Sequence, residues 1–515
     1  MSAAPSFSYD EFPYPDYIHP EVHPDLLAVD ALLHGLAPAP IGQCRVLELG
    51  CGGGANLVSL AAALPASRFV GIDLSTRQIE SGQAFIKELG LSNIELRAAN
   101  VMELGEELGV FDYIFCHGIY SWVPPQVAER ILDICARALA PHGVAQVSYN
   151  TYPGFHKRQH FREMIQYHAA AAGVSAPPEV AKRGLALLEF LFENVGDPDS
   201  ANARLLRDEL KVLRSLHPSY LFHDLAEAHN HPCYFHEFMS RASAHGLQFL
   251  SERMKKGRSE KLSAAAQQTL NGFGGDIVQR EQYLDFIYNT SFRCTLLCHS
   301  GLSVVRPAQP QSVMSMRALA VARPEKPVSD VNAREPLVFH VPGFSANIEH
   351  PSFKALLIAL DRARPRALSF SELGAQLARL LGKEVSESEL CQMVLYGQNA
   401  GVLSLHTWEP QLSAKPSERP QASLLARMQA AHSRPIANLW HQPLQLDSVE
   451  LEVLKLLDGS HDNKAILAAL IEAVERGTLS VQHSTGPRKG IPRKTLAARL
   501  PEVLALFAAG AMLEA

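Results

Sequence analysis

The sequence predicts an α/β chain: a Rossmann-like sheet in the N-terminal half, helical insertions behind it, and a mainly helical C-terminal third. Three observations carry this. Residues 45–64 read as an apolar strand, a glycine turn and a small-residue helix. Strand and helix signals then alternate as far as Gly154. Finally, two stretches near 338–408 and 437–515, set off by Pro-rich segments, look like degenerate repeats of one helical design.

Residues 45–54 read Arg-Val-Leu-Glu-Leu-Gly-Cys-Gly-Gly-Gly, in which Val46, Leu47 and Leu49 predict a buried strand. Gly50, Gly52 and Gly54 predict a tight turn into a helix from Ala55 to Leu64. A second strand, Arg68 to Ile72, ends in Asp73, and a helix follows from Ser75 to Leu89. Ile94 to Ala98 is a short strand leading to Asn100 and Val101. Phe111 to Cys116 is a strand that runs into His117-Gly118-Ile119-Tyr120-Ser121-Trp122. A helix from Gln126 to Leu139 is closed by Pro141 and Gly143, and Val144 to Ser148 is the next strand. Ligands of such sheets bind at the C-terminal ends of the strands. Gly50–Gly54, Asp73, Asn100, His117–Trp122 and Tyr149–Tyr152 are therefore expected around one crevice.

Two cofactors fit the glycine turn. Gly50, Gly52 and Ala55 satisfy a dinucleotide pattern, and Asp73 suits a ribose diol in either case. Glu48 discriminates, because a carboxylate beside this turn would repel a pyrophosphate. S-adenosylmethionine carries a sulfonium and an ammonium instead, so Glu48 favours it. The candidate cofactor contacts are Tyr9, Tyr14, Glu48, Gly50, Cys51, Gly52, Gly54, Asn56, Asp73, Leu74, Asn100, Val101 and His117.

Composition narrows the classes. The chain has 515 residues, 47% hydrophobic and 19% charged, with a formal charge of -6. That suits two to four globular domains of ~100–200 residues and disfavours disorder, collagen and a nucleic-acid partner. No apolar run approaches a membrane span. No Lys or Arg precedes Arg45, so a secretory signal is not expected either. Eight scattered cysteines without a CxxC pair suggest reduced, buried thiols and a cytoplasmic location.

Leu47-Glu48-Leu49-Gly50-Cys51-Gly52-Gly53-Gly54 with Gly71-Ile72-Asp73 resembles the class I S-adenosylmethionine-dependent methyltransferases. Tyr9-Asp10-Glu11-Phe12-Pro13-Tyr14 with His23-Pro24, His117 through Pro124, and Ser148 through Gly154 are similar to bacterial members carrying the methyltransferase regulatory domain. Tyr220 through His223 and Glu281 through Phe286 continue that likeness, which covers most of residues 9–300. The group includes lysine methyltransferases acting on bacterial outer-membrane proteins. The resemblance thus implies a Rossmann-like seven-stranded methyltransferase sheet, the cofactor S-adenosylmethionine and a protein acceptor such as an outer-membrane protein precursor.

The expected organisation is 1–154 as the cofactor-binding core and 155–302 as helical insertions plus strands that complete the sheet. Helices are expected over Phe155–Ala171, Pro178–Asn194 and Glu237–Ala244, and strands over Leu247–Leu250 and Phe292–Cys298. The insertions, 155–225 and 253–285, suit a lid or a homodimer interface. A linker is expected at 303–337, a winged-helix-like unit at 338–408, a second linker at 409–436 and a second such unit at 437–515. The segment Ser386 to Asn399 has no Lys or Arg, so protein recognition or dimerisation is expected there rather than DNA binding. Lys489, Arg493 and Lys494 read as a solvated loop. His223, His229, His231, Cys233 and His236 match no zinc spacing, and Cys294, Cys298 and His299 read as strand packing; no metal is expected.

His117, Tyr120, Trp122, Tyr149, Asn150 and Tyr152 are the candidate catalytic residues. The tyrosines and Trp122 would form an aromatic mouth, Asn150 would orient an acceptor nitrogen, and His117 would relay a proton. Tyr9 and Tyr14 would fold over the cofactor as a lid. Six acids before Arg45 would steer a cationic segment towards it. Methyl transfer to a nucleophilic nitrogen, foremost protein lysine, stands beside two alternatives: a small-molecule methyltransferase and a non-catalytic cofactor-binding scaffold.

Overall fold

The computed structural model describes residues 8–253, 262–273, 275–328, 330–333, 335–479 and 493–515. Lys489 of the expected basic loop lies outside them. Seven strands form the central sheet: β1 Arg45–Leu49, β2 Arg68–Asp73, β3 Ile94–Ala98, β4 Phe111–Cys116, β5 Leu139–Asn150, β6 Leu247–Glu252 and β7 Phe292–His299. Their order is β3-β2-β1-β4-β5-β7-β6. The first five run parallel, while β7 is antiparallel to both β5 and β6.

Near-continuous apolar strands follow from burial on both faces. On β4, Tyr113 and Phe115 enter one core with Val46, Phe69 and Phe85. Ile114 and Cys116 enter the other with Leu47, Ile131 and Phe238. The helices covering these faces include Thr76–Leu89, whose N-cap Ser75 accepts from Gln78 N, and Pro125–Ala138. Since β1 has β2 on one side and β4 on the other, the strand order reverses at β1, and a crevice opens at the C-terminal ends of β1 and β4.

The chain between β5 and β7 does two things. It supplies β6, which reaches the sheet through the helix Phe235–Ala244 and Gly246 (φ 78°). It also forms a helical insertion, His156–Ala171, Pro177–Glu193, Ala201–Leu213 and Pro218–Leu225, around its own core of Phe161, Leu188, Leu206 and Leu210. One buried cation ties β7 to this region. Arg293, fully buried, meets Glu252 at 2.9 Å, Glu281 at 3.1 Å and Asp285 at 2.8 Å.

The C-terminal units begin earlier than the sequence suggests. Arg317–Ala320, inside the expected linker 303–337, pairs antiparallel with Leu368–Ser369 and Leu403–His406. This small sheet packs with the helices Pro351–Ala363, Phe370–Leu381 and Glu387–Ala400. The second expected linker, 409–436, holds the helix Leu424–Ala431. Its Ala426 and Ala430 join the core of the last unit with Val453, Leu470, Val503 and Phe507. In both cases short apolar elements lie among Pro and Ser, which hid their period. No described helix is long and apolar enough to cross a membrane. All eight cysteines are buried and unpaired.

Candidate active site

A cavity of about 700 Å³ lies at the ends of β1, β2, β4 and β5, within the range of small-molecule and cofactor sites. Its floor is the glycine turn. Gly50 N and Cys51 N donate to Ile72 O at 2.7 and 3.1 Å, which pins the turn to β2. Gly50 has φ 74°, and a Cβ there would come within 2.3 Å of Ile119. Only glycine brings the backbone this close. Asp73 Oδ2 accepts from Gly52 N and Oδ1 from Ser75 N, each at 2.8 Å, so the carboxylate is fixed at the cavity edge. Glu48 is 4% exposed and accepts from Asn56 Nδ2 at 3.1 Å through Oε1. Burial pushes its carboxyl up to about 7, against that hydrogen bond and the charge of His19.

Residues 9–23 form a strap across the cavity. Tyr9 stacks on the His223 ring at 4.2 Å, and His223 Nε2 donates to Phe12 O at 2.7 Å. Tyr14 lies 5.5 Å from the Tyr220 ring. His19 N donates to Asn56 Oδ1 at 2.8 Å, joining the strap to the first helix of the core. Asp16 meets Arg434 of the last unit at 3.4 Å; Arg434 also donates to Ser81 Oγ and lies over the Phe85 ring. The insertion roofs the cavity with Lys157, Arg158, Glu209, Tyr220 and Asp224. Arg158 is held there by Glu209 at 3.2 Å and Asp224 at 2.7 Å.

Of the expected catalytic residues, His117, Trp122 and Asn150 line the cavity. Arg162 lies over the Trp122 ring at 5.2 Å. Tyr120, Tyr149 and Tyr152 do not line it. Adjacent strand residues point to opposite faces, so Asn150 faces the cavity and Tyr149 turns into the core. There Tyr149 stacks on Phe238 at 4.1 Å and bonds Thr295 Oγ1 at 3.0 Å. Tyr120 packs edge-on against the same Phe238. Tyr152 stacks on His156 and borders, with Tyr120, a second, separate cavity.

Among the expected cofactor contacts, Tyr9, Tyr14, Glu48, Gly50, Cys51, Gly52, Asn56, Asp73 and His117 line the main cavity; Gly54, Leu74, Asn100 and Val101 do not. Gly54 is the left-handed N-cap of the first core helix, and Asn100 caps a short turn through Met102 N.

The cavity also holds His19, Gln78 and Phe292, to which the sequence assigns no site role, and Asp16 and Glu21, two of the six acids before Arg45. Burial alone would raise Glu21, but hydrogen bonding to His19 and the charges of His117 and His19 bring it down to about 2. Burial holds His117 down to about 4, so it is neutral at pH 7. The acids before Arg45 are mostly engaged internally, which corrects the steering expectation. Asp25 accepts from Thr407 N and meets His406 Nδ1, both at 2.6 Å, Asp30 is held by Arg253 at 2.5 Å, and Asp10 accepts from Ser75 Oγ at 2.5 Å. The histidines between His223 and His236 are engaged separately. His223 serves the strap, His236 bonds Gln282 at 2.9 Å, and His229 and His231 lie 5.9 Å apart.

The residues fit S-adenosylmethionine. Buried polar atoms on the wall, Glu48 Oε2, His117 Nδ1 and Asn150 Nδ2, have no partner within the protein, and such groups need one. The acids Glu21, Glu48 and Asp73 suit a ligand with two cationic centres and a ribose.

Comparison with known proteins agrees. Residues 46–143 match a methyltransferase domain, 217–299 a predicted methyltransferase regulatory domain and 418–512 the PKMT C-terminal winged helix domain. An uncharacterized protein of Rickettsia prowazekii is 33% identical, covering 98% of this chain and 93% of its own. The structure of PKMT2 from Rickettsia typhi in complex with AdoHcy superposes with a TM-score of 0.87 at 28% identity, over 97% of this chain and 100% of that one. A ubiquinone biosynthesis O-methyltransferase of Paracidovorax citrulli is 34% identical over only 20% of this chain and 43% of its own. The chain therefore belongs to the S-adenosylmethionine-dependent methyltransferases that combine a Rossmann-like core, the methyltransferase regulatory domain and the PKMT winged helix.

Proposed function

We propose that the chain methylates lysine side chains of a protein, an outer-membrane protein precursor being the class that the family likeness suggests. One observation supports this most: the cavity wall combines the ionised Glu21 with the aromatic faces of Tyr14, Trp122 and Tyr220. Carboxylates attract an ammonium, and aromatic faces attract the methylated cation that follows. The likeness to PKMT2 through the insertion and the C-terminal units, not only the core, points the same way.

Bound S-adenosylmethionine supplies the methyl electrophile. The chain supplies orientation, which accounts for most of the rate in such a transfer. Glu48 would hold the cofactor's cationic end, and Asp73 its ribose. Asn150 orients the acceptor nitrogen through its side-chain amide. A lysine has a pKa of ~10.4 and must lose a proton before it attacks; removal from water under the roofed cavity favours that loss. The proton leaves to solvent water, and neutral His117 can relay it by hydrogen bonding. Incubating the protein with labelled cofactor and a cell lysate tests the reading. Methyl-lysine identified by mass spectrometry in a protein band is expected. Label confined to the small-molecule fraction would overturn it.

A further inference from the structure

We propose that His19, Glu21 and His117 form a binding site for a divalent transition-metal ion. Two imidazoles and one carboxylate converge here from separate parts of the chain. Their ligand atoms all lie within 4.8 Å of one another, and this is the one such group among the described residues. Glu21 Oε1 is 3.3 Å from His19 Nδ1 and 3.5 Å from His117 Nε2. A tetrahedral ion bonded at ~2.0–2.1 Å would hold its ligand atoms roughly 3.3 Å apart, so both measured pairs already stand at chelating distance. The two rings lie 4.3 Å apart and tilted by 40°, and are not stacked face to face.

Local structure presents the set. His19 and Glu21 flank Pro20, which starts the 3-10 turn Pro20–Val22, so the pair forms a short chelate on a stiff turn. His19 is fixed further by its backbone bond to Asn56. His117 is the first residue after β4, where Gly118 (φ 72°) turns the chain away. Metal ligation uses neutral imidazoles and an ionised carboxylate, the residue types that meet here. Three protein ligands leave at least one position open to the cavity. Imidazole with carboxylate suits Zn²⁺, Co²⁺ or Ni²⁺ rather than thiophilic Cu(I) or a hard ion such as Ca²⁺. An ion there would fasten the strap to the loop after β4 and neutralise Glu21, so metal and a cationic acceptor would compete for the same carboxylate.

The full chain, stripped with a chelator, would be titrated with Zn²⁺ by calorimetry and with Co²⁺ by visible spectroscopy. One equivalent with visible d–d bands is expected, and E21Q and H19N should each weaken it on the order of tenfold or more. Circular dichroism of the metal-free variants checks that they fold, and having two variants keeps the test open if one does not. Three results would overturn the site: no stoichiometric binding, binding unaffected in the folded variant, or near-ultraviolet thiolate charge transfer that assigns the ion to cysteine.

Discussion

Glu48→Gln separates what stabilises this protein from what lets it bind its cofactor. Burial lifts the Glu48 carboxyl from an ordinary 4.5 to about 7, a cost of about 3 kcal/mol to the ionised form. The folded value lies above the unfolded one. The penalty is therefore absent below pH 4.5, grows as pH rises and is complete above about 7. Gln keeps the bond from Asn56 Nδ2, which Glu48 accepts at 3.1 Å. The cofactor-free variant should match the parent at pH 4.5 and exceed it by up to about 3 kcal/mol at pH 8, read from denaturant unfolding at both pH values. Cofactor binding should move the other way. Loss of a hydrogen bond to a charged group costs about 1.5–3 kcal/mol, so affinity should fall roughly 10- to 100-fold. Because the cationic cofactor favours ionised Glu48, binding to the parent should release about half a proton at pH 7 and about 0.9 at pH 6. Calorimetry in buffers of different ionisation enthalpy measures this, and the variant should lack it. A variant that is less stable at pH 8 and binds the cofactor as tightly as the parent would refute the reasoning.

Three further outcomes follow from the geometry. Asn150→Ala should lower kcat/KM roughly 10- to 100-fold, whereas Tyr120→Phe, facing away from the cavity, should stay within about twofold; steady-state kinetics on both decides it. Arg293→Met leaves Glu252, Glu281 and Asp285 buried without their shared cation, which should cost about 3–5 kcal/mol in chemical denaturation near pH 7. Arg434→Ala removes the strap's contact through Asp16 and the stacking on Phe85. About 1 kcal/mol lost should appear as about fivefold weaker cofactor binding by calorimetry, with unchanged circular dichroism.

The sheet was legible because its signals are local. The glycine turn needs positive φ at Gly50, Gly52 and Gly54, and the strands carry apolar runs that burial on two faces demands. Even β6 and β7 showed as helix, Gly and strand followed by a last strand. The face on which a residue at a strand end points was not legible. Tyr149 and Asn150 are neighbours in sequence, and only Phe238, arriving from the helix Phe235–Ala244, decides that Tyr149 belongs to the core. Tyr120 was misread for the same reason. His19 escaped notice because nothing periodic marks it, and Glu21 was legible only as one of six acids before Arg45; contact with His117, about a hundred positions away, gives both their place. The strand Arg317–Ala320 is four residues long, and its pairing with Leu403–His406 is not visible from composition.

The strap that closes the cavity also sets an order of assembly. Asp16 of the strap and its C-terminal anchor Arg434 are 418 positions apart, and Asp25, just behind the strap, and its partner His406 are 381 apart. At synthesis rates of ~5–20 residues per second, the strap leaves the ribosome at least ~20 s before these C-terminal anchors exist. The sheet from β1 to β5 can form in that interval from nearer contacts, but the strap cannot take its final seat. The cavity is therefore completed late in synthesis, and an unfinished chain holds a cofactor floor without its cover.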